Sequence, residues 1–530
     1  MKTFKRFLAI ALVAVIAAGT CACSLKKQAG GDADLIVTYY SGAYGDEWIE
    51  RAAEEFGNER GVKVKVIPSS DMDCGAENTL TAGRNLSDLY IGSSKKWQSW
   101  VQNGYIENLQ SVYDSTVKTS KGDIKLSDYI DPDVVGRYYI ERQLGTGDSY
   151  PWVMPFSAMP MSLAYNYDAL KKIPHTSSAA VSAESVDPAT KLWIAPPKNL
   201  SEWLALCDDI NAYTSDDGHK YVPFGWTALE AQQVYYFIFT WWAQYQGLYE
   251  SNVAGQGSFY DFWNFGNTSK TTMNQTLSNK VFDQKGLANA LDSVKKLIID
   301  ESTQGFKNSL SAVNTLRTQE LTRALYAERN EERPVIAMAS SFGENEARLT
   351  QVIDSNSDGV KDSDIRFMSI PALDGHENEK YLYCANDDLM FIPSAAAHKD
   401  LAKEFILFLC SEDQLKKFTV RSNGGLRPFN YDAREIEGAD FSDYNKSVFD
   451  VYYNSTRIYD FPLKAYKESA FGVSLIYTYE RPIAFGDLGP SDVINMLKKT
   501  NGAAIMSESK RLFDISKSNY IKKFRMTDVG

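Results

Sequence analysis

A short acidic segment carries the residue types best suited to metal chemistry. Residues 354–364, DSNSDGVKDSD, place oxygen-bearing side chains at alternating positions around a glycine turn. Hard oxygen ligands in this arrangement suit calcium, so the segment predicts a structural calcium site. The twelfth loop position is Ile365, where a bidentate glutamate is usual, and a solvated acidic turn is therefore the alternative. The predicted ligands are the side chains of Asp354, Asn356, Asp358 and Asp362 and the backbone carbonyl of Val360.

Motifs that would indicate a histidine-rich metal site, a redox centre or a nucleophilic enzyme are scarce in this sequence. The 530 residues include only four histidines, no Cys-x-x-Cys pair and no Gly-x-Ser-x-Gly nucleophile motif. The formal net charge of −12 disfavours binding to nucleic acid or anionic lipid. Cys207 and Cys410 lie in apolar helical patterns, where cysteine behaves as a small hydrophobe. Beyond residue 23 the cysteines are even in number, which leaves one or two disulfides possible: Cys74, Cys207, Cys384 and Cys410.

The first residues predict export. Lys2, Lys5 and Arg6 precede a short apolar run that ends at Ala18, and the small residues AGTCACS follow. A spanning helix needs about 20 apolar residues, so residues 1–22 are predicted to be a secretory signal instead. Removing them would take away three positive charges and change the net charge from −12 to −15.

A cysteine at the end of the signal predicts a lipid anchor. The surrounding residues resemble the lipobox of bacterial lipoproteins, with Cys23 favoured over Cys21 as the lipidated, palmitate-bearing residue. Residues 23–33 are polar and contain glycine, which is typical of a flexible leash. The protein would then be extracytoplasmic and held at the outer face of the cell membrane. Ordinary secretion is the alternative.

The order of elements after the leash predicts an α/β fold. The first predicted strand is DLIVTYYSG, and the helix after it presents Trp48 and Phe56 on one face and stops at Gly61. A second strand, VKVKVIP, and a strand-turn-helix unit follow. Strand-helix-strand alternation predicts a parallel sheet with helices on both faces. Because ligands bind beyond the carboxyl ends of such strands, residues 39–42 and 92–95 are predicted to lie at the binding rim.

Two later segments break this alternation. The stretch PWVMPFSAMPMSLAYNYDALKKIP is apolar, but its three early prolines argue against one continuous central strand. The stretch HTSSAAVSAESVDPATKLWIAPP is rich in serine and alanine and predicts a loop. The helix after it begins at NLSE, where Asn199 and Glu202 resemble a capping box with asparagine in place of serine or threonine.

Taken in order, these pieces resemble the extracellular solute-binding proteins of carbohydrate ABC importers (family 1), the family that includes maltose-binding protein. The resemblance spans residues 34–430 and includes the later pieces PKNLSEWLALCDDI, RPVIAMASSFGE and YLYCANDDLMFIPS. It implies a two-lobed, type II periplasmic-binding-protein-like fold, each lobe a mixed, mainly parallel sheet flanked by helices. The implied lobes are 34–154 with 386–430, and 158–382 with 431–530.

The resemblance also explains the proline-interrupted segment. In this family strands cross between the lobes, and MPFSAMPMSLAYN would occupy the first crossing, with Ser157 and Met159 on the floor of the ligand cleft. CANDDL would form the second crossing and offer Asn386 and Asp387. A glycine-rich loop offers Arg427. For Asp387 and Arg427 a surface ion pair is the alternative.

Sugar binding requires aromatic faces against the apolar face of a pyranose and polar groups around its edge. Aromatic residues make up 13% of the chain, and packing in the core is the alternative for each of them. One of Trp241 and Trp242 is expected to be core and one to face the cleft. Phe342 falls where the family often places a stacking tryptophan. The rim candidates are Tyr40, Tyr44, Ser94, Trp97, Trp226, Trp242 and Phe342.

These observations predict a substrate-binding lipoprotein of an ABC importer. It would be a monomer without enzymatic activity that captures an oligosaccharide between its lobes and delivers it to a two-subunit permease with its ATPase. A peptide-binding importer lipoprotein is the nearest alternative. A secreted glycoside hydrolase would need two carboxylates about 5 to 9 Å apart, a spacing that sequence does not exclude. An adhesin or structural lipoprotein, which should show no closure, is a third class.

Overall fold

The computed structural model has a mixed α/β architecture. It describes residues 32–42, 44–83, 86–93, 97–142, 148–216, 218, 221–225, 234–260, 276–277, 284–296, 325, 335–343, 363–385, 388–459, 496–497, 499–508, 510–511 and 527–528. Among these residues no helix combines the length and the apolar character needed to cross a membrane.

The helices are α1 (Glu47–Arg60), α2 (Ala76–Thr81), α3 (Trp97–Gln102), α4 (Gln110–Tyr113), α5 (Leu126–Tyr129), α6 (Pro132–Val135), α7 (Tyr167–Leu170), α8 (Leu200–Ala212), α9 (Val234–Gln246), α10 (Lys285–Val294), α11 (Lys399–Leu409), α12 (Glu412–Arg421) and α13 (Asp443–Tyr453). The strands are β1 (Leu35–Tyr40), β2 (Val64–Ser69), β3 (Leu89–Ser93), β4 (Thr116–Thr119), β5 (Gly122–Lys125), β6 (Tyr139–Glu141), β7 (Ser149–Pro151), β8 (Met154–Pro155), β9 (Met159–Asn166), β10 (Tyr221–Gly225), β11 (Thr276–Leu277), β12 (Val335–Phe342), β13 (Ile365–Met368), β14 (Tyr381–Ala385), β15 (Asp388–Phe391), β16 (Thr456–Tyr459) and β17 (Thr527–Asp528).

The first sheet has the order β2-β1-β3-β15-β8. The pairs β1–β2 and β1–β3 are parallel, whereas β15 is antiparallel to β3 and β8. Helix α1 packs beside β2 and ends at Gly61, whose φ of 68° is the left-handed conformation that glycine adopts readily. The predicted strand-helix-strand unit is therefore confirmed. Its helix buries one apolar face: Trp48, Ile49, Ala52, Ala53 and Phe56.

The second sheet has the order β10-β12-β9-β14-β16, and β13 also pairs with β9. Successive residues of a strand point to opposite faces, so Leu163 and Tyr165 of β9 pack in one apolar core while Ala164 packs in another. Both faces are covered, which explains why β9 lacks the polar alternation of a half-exposed strand. The core that contains Ala164 also contains the core of the first sheet, so one apolar cluster runs through both sheets.

The chain passes between the sheets at two positions. The first crossing, residues 156–158, lies between β8 and β9, and the second crossing lies between Ala385, which ends β14, and Asp388, which opens β15. The two are neighbours in space, because the Phe156 amide donates to the Asp388 carbonyl at 3.0 Å. Pro155 is the last residue of β8 and Pro160 the second residue of β9, so both prolines lie next to the break between the two strands. The predicted residue limits of two lobes stay a prediction.

The Ser/Ala-rich loop is confirmed as a loop, but a buried carboxylate of α8 holds it in place. Asp209 is 1% exposed. It accepts hydrogen bonds from the amides of Thr176 and Ser177, from Trp193 Nε1 at 2.9 Å and from the His175 ring at 2.8 Å. The loop therefore folds back on the helix that follows it in sequence.

The start of α8 confirms the predicted cap. Asn199 accepts from the Glu202 amide at 2.9 Å. The Glu202 carboxylate does not accept a hydrogen bond from the Asn199 amide, as it would in a full capping box. Instead it is buried under the loop and accepts from Ser182, Ser185 and Lys198. Burial alone would raise the pKa of Glu202, but these hydrogen bonds outweigh it and lower the pKa.

The four cysteines beyond the signal are buried free thiols. Cys207 lies within α8 and Cys410 follows the last residue of α11, and both are fully buried. Their predicted role as small apolar side chains is confirmed. The disulfides that the sequence left possible are not formed among these four residues.

An ion-pair network joins α1 to α12. Glu55 contacts Arg421 Nη2 at 2.6 Å, Lys417 Nζ at 2.9 Å and Gln414 Nε2 at 2.7 Å. Burial alone would raise the pKa of Glu55, but the hydrogen bonds from these three side chains outweigh it and lower the pKa to about 2. The ionised form of Glu55 is therefore stabilised by folding.

We expect this network to make stability depend on pH. A lowered folded-state pKa contributes stability above the unfolded value of 4.5, and that contribution disappears as the pH falls towards about 2. Because the side chain is 30% exposed, we expect Glu55→Gln to cost about 1–2 kcal/mol at pH 6 after allowance for solvent screening. Urea denaturation of both proteins at pH 6 and pH 3 tests this, with the difference shrinking by more than half at pH 3. A difference independent of pH would contradict the ionic origin.

Candidate functional site

The strand ends beside the two crossings form the candidate site. In the first sheet Tyr40 ends β1, Ser93 ends β3, and Asp388 opens β15 directly opposite Ser93. In the second sheet Met159 opens β9 opposite Ala385, the last residue of β14. The predicted location, at the carboxyl ends of parallel strands, is thus where the chain passes from one sheet to the other.

A close approach shapes the edge of the first sheet. A Cβ atom at Gly92 would lie 2.7 Å from the carbonyl oxygen of Met72 and 2.9 Å from Cys74 Sγ. Glycine at this position lets the turn after β2 pack directly on β3. The Cys74 thiol donates to the Ile91 carbonyl at 3.3 Å, and burial raises its pKa, so it stays a neutral packing group. Met72 remains half exposed at this edge and was not predicted from the sequence.

The two crossings are joined by a buried polar contact. Ser157 Oγ donates to Asp388 Oδ2 at 3.1 Å, and the two residues are 0% and 7% exposed. The sequence predicted Ser157 and Asp387 as site residues but not Asp388, which follows Asp387 directly. The available signal was that Asp388 opens the apolar run DLMF, where a carboxylate inside a strand needs a partner.

Phe342 and Met159 retain partial exposure in the second sheet. Phe342 ends β12 opposite Met161 of β9, and its carbonyl accepts from the Tyr444 hydroxyl at 2.7 Å. The side chains of Phe342, Met159 and Tyr40 are all half-buried. These three candidates are therefore the described ones that combine a place at a strand end with accessible surface.

Three predicted aromatic candidates are buried in the core. Tyr44 packs edge-on against Phe418 with ring centroids 5.2 Å apart, and Trp97 lies 6.2 Å from a tyrosine ring. Trp242 is 1% exposed and donates to Gln284 at 2.8 Å, and Trp241 is also fully buried. The expectation that one of this pair faces a cleft is not met by this conformation. In this structure these residues pack in the core, which is the alternative that the sequence left open. Their role in ligand contact stays a prediction.

Arg427 is also buried, which overturns its interpretation as a surface ion pair. It is 1% exposed. Its Nε donates to the Phe156 carbonyl at 3.0 Å and its Nη1 to the Leu409 carbonyl at 2.6 Å. Its guanidinium carbon lies 5.0 Å from the ring centroids of both Phe156 and Phe429. Among the described residues no carboxylate pairs with it, and it binds the first crossing rather than presenting a free charge.

Several predicted residues lie outside the part of the chain that the structure describes. Within that part no group of three or more His, Cys, Asp or Glu side chains is arranged to hold a metal ion. The calcium site therefore stays a prediction. The residues outside are Ser94, Trp226, Asn386, Asp387, Cys23 and the predicted calcium ligands Asp354, Asn356, Asp358, Val360 and Asp362.

Comparison with known proteins identifies related chains. Residues 51–447 match a family described as bacterial extracellular solute-binding protein. No curated protein matches the sequence.

Three similar solved structures share the fold at low sequence identity. RafE in complex with raffinose has a TM-score of 0.54 and 12% identity, and the match covers 91% of this chain and 100% of that one. A probable secreted solute-binding lipoprotein from Streptomyces coelicolor has a TM-score of 0.55 and 14% identity, covering 91% and 99%. Lmo0181 from Listeria monocytogenes in complex with cycloalternan has a TM-score of 0.54 and 13% identity, covering 93% and 99%. These likenesses confirm the predicted fold class.

Proposed function

Because this chain belongs to the bacterial extracellular solute-binding protein family, we propose that it captures an oligosaccharide at the sheet edges beside the crossings and delivers it to an ABC permease. Membership places the protein outside the cytoplasm and makes it a binding protein. The proposal is carried by half-buried aromatic rings at strand ends of both sheets, because Tyr40 ends β1 of the first sheet and Phe342 ends β12 of the second. Two proteins of similar fold bind the sugars raffinose and cycloalternan.

The chemistry of these edges suits a carbohydrate. A half-buried ring offers its face to the apolar C–H groups of a sugar, and sites of this kind are mainly apolar with a few placed polar groups. The half-buried Tyr40 carries a hydroxyl that is such a polar group at the first edge, whereas Ser93 and Asp388 at the same edge are buried, at 3% and 7% exposed. Contacts from both sheets would favour a closed form, because a ligand shifts an equilibrium by its differential affinity for the two states.

We further propose the cellular setting that the sequence predicts. The protein would be a monomer anchored through lipidated Cys23, without catalytic activity, and would dock on a two-subunit permease with its ATPase. A structural calcium ion in residues 354–364 would stabilise the second sheet rather than touch the sugar.

Thermal unfolding with a panel of ligands tests the proposed function. A ligand that binds only the folded form stabilises it by about 2.7 kcal/mol at a hundredfold excess over Kd. We expect raffinose or cycloalternan, or a related oligosaccharide, to raise the Tm, and short peptides to leave it unchanged. The reverse pattern would favour the peptide-binding alternative, and release of smaller sugars during incubation would favour a glycoside hydrolase.

Replacing the ring at the second edge should weaken sugar binding. We expect Phe342→Ala to reduce affinity by about 1–3 kcal/mol, the range for losing the burial of an aromatic-sized apolar group. The same loss is predicted for Trp226. Isothermal titration measures it, with Tyr249→Ala as the control, because Tyr249 is 59% exposed and lies in the turn after α9. If Phe342→Ala lowers the Tm but leaves Kd unchanged, the ring is part of the core and not a platform.

A further inference from the structure

A buried ion pair joins Asp131, the residue that caps α6, to Arg457 of β16 in the second sheet. Asp131 is 2% exposed, and its Oδ2 accepts from Arg457 Nε at 2.9 Å and from the Tyr459 hydroxyl at 3.0 Å. Its Oδ1 accepts from the Asp133 amide at 2.9 Å. Tyr459 also shares a hydrogen bond of 3.0 Å with the Tyr452 hydroxyl. Nothing in the sugar-binding proposal uses this network.

On one side the network is fixed to the elements that carry the first crossing. The Asp131 amide donates to the Pro428 carbonyl at 2.9 Å, directly after Arg427. Arg427 in turn donates to the Phe156 carbonyl, and the neighbouring Leu426 carbonyl accepts from the Ala158 amide at 2.9 Å. The backbone of Asp131 is thus linked through residues 426–428 to residues 156–158.

On the other side the network is fixed to the second crossing. Arg457 and Tyr459 lie on β16, which pairs in parallel with β14, and Tyr459 is opposite Cys384. Cys384 is followed by Ala385, the last residue of β14 before the second crossing. Tyr459 and Cys384 belong to the apolar cluster that runs through both sheets. The ion pair is therefore connected to both crossings, through residues 426–428 to the first and through the pairing of β16 with β14 to the second.

We propose that Asp131 is a positioning residue that, through Arg457 and Tyr459, fixes the tilt of the second sheet relative to the first. With the pair intact, the second sheet can move only about the two crossings. Without it, the second sheet samples other tilts, and the arrangement that holds a ligand on both edges is populated less. Apparent affinity falls in proportion to the population of the binding-competent form. This inference rests on the proposed function.

Variants of the pair and a matched control pair test the proposal in the mature protein. Asp131→Asn removes the charge and keeps an oxygen for the Asp133 amide, and Arg457→Met removes the partner. Tyr459→Phe is a milder variant that removes one hydroxyl. The control is Glu55→Gln with Arg421→Met, because that pair joins two helices on the first sheet at 2.6 Å.

Two measurements separate positioning from stability alone. Titration with raffinose and cycloalternan gives Kd, and we expect Asp131→Asn to raise it about tenfold. The Kd of the double variant Asp131→Asn/Arg457→Met should be no higher than the higher of the two single-variant Kd values. The control pair should leave Kd unchanged although it lowers stability.

Hydrogen exchange without sugar gives a second readout that does not need the proposed function. We expect Asp131→Asn and Tyr459→Phe to speed amide exchange in residues 156–159 and 381–385 at least tenfold, and the control variants to leave it unchanged. If the wild type binds no sugar, the proposed function fails while exchange still decides the role of Asp131. Unchanged exchange at both crossings, or an equal change in the control variants, would overturn the proposal.

Discussion

Replacing Arg427 by alanine is expected to lower the free energy of unfolding by about 3–5 kcal/mol. Its guanidinium fills the space between Phe156, Phe418 and Phe429 and donates to two buried carbonyls. Truncation opens a cavity of the kind that costs about 3–5 kcal/mol for a large side chain. It also leaves the Phe156 and Leu409 carbonyls without these donors, at about 1–3 kcal/mol each. The cost of burying an arginine in the wild type offsets part of this loss.

Two further variants make the Arg427 result interpretable. Arg427→Met fills much of the volume without the charge and should cost about 1–2 kcal/mol, because an apolar replacement of a buried charge is often tolerated. Arg434→Ala is the control, since its guanidinium is 38% exposed beside Asp432 and a surface pair contributes at most about 1 kcal/mol. Urea denaturation followed by tryptophan fluorescence measures all three. A loss below 1 kcal/mol for Arg427→Ala would show that the site collapses around the missing side chain.

The second large effect is expected at Asp209, with a loss of about 3–5 kcal/mol for Asp209→Ala. This carboxylate is 1% exposed and accepts from Thr176, Ser177 and Trp193 as well as from the His175 ring. Removing it leaves several buried donors without their acceptor, and each such donor costs about 1–3 kcal/mol. The loop that these donors belong to should then detach from α8.

The neighbouring Asp208 provides a matched control for this variant. It lies on the same helix but is exposed, so Asp208→Ala should change stability by no more than about 0.5 kcal/mol. Limited proteolysis gives a local readout, because only Asp209→Ala should make residues 176–197 sensitive to cleavage. Equal stability losses for the two variants, with no new cleavage, would mean that Asp209 does not hold the loop.

The sequence by itself determined the local elements and their order. The apolar face of α1 and its stop at Gly61 were readable because a helix repeats every 3.6 residues and glycine adopts the left-handed conformation readily. The cap at Asn199 was readable because its partner lies three residues away. The prolines indicated an interrupted strand, since proline removes a hydrogen-bond donor that a continuous central strand needs, and the family resemblance implied that the first crossing lies there. This order also predicts that the site lies at the carboxyl ends of the strands, which stays a prediction.

Only the tertiary structure decided which polar and aromatic residues are buried. From the sequence, Arg427 and Asp387 were equally good candidates for a ligand contact or a surface ion pair. In the structure Arg427 lies in the core, where its guanidinium donates to the carbonyls of Phe156 and Leu409, which are 271 and 18 positions away in sequence. Asp131 finds Arg457 at a separation of 326 positions. Periodicity identifies a face but not what covers it, so a buried charge is indistinguishable from an exposed one until its partners are placed. The partners of these side chains come from the packing of distant segments, which local pattern does not encode.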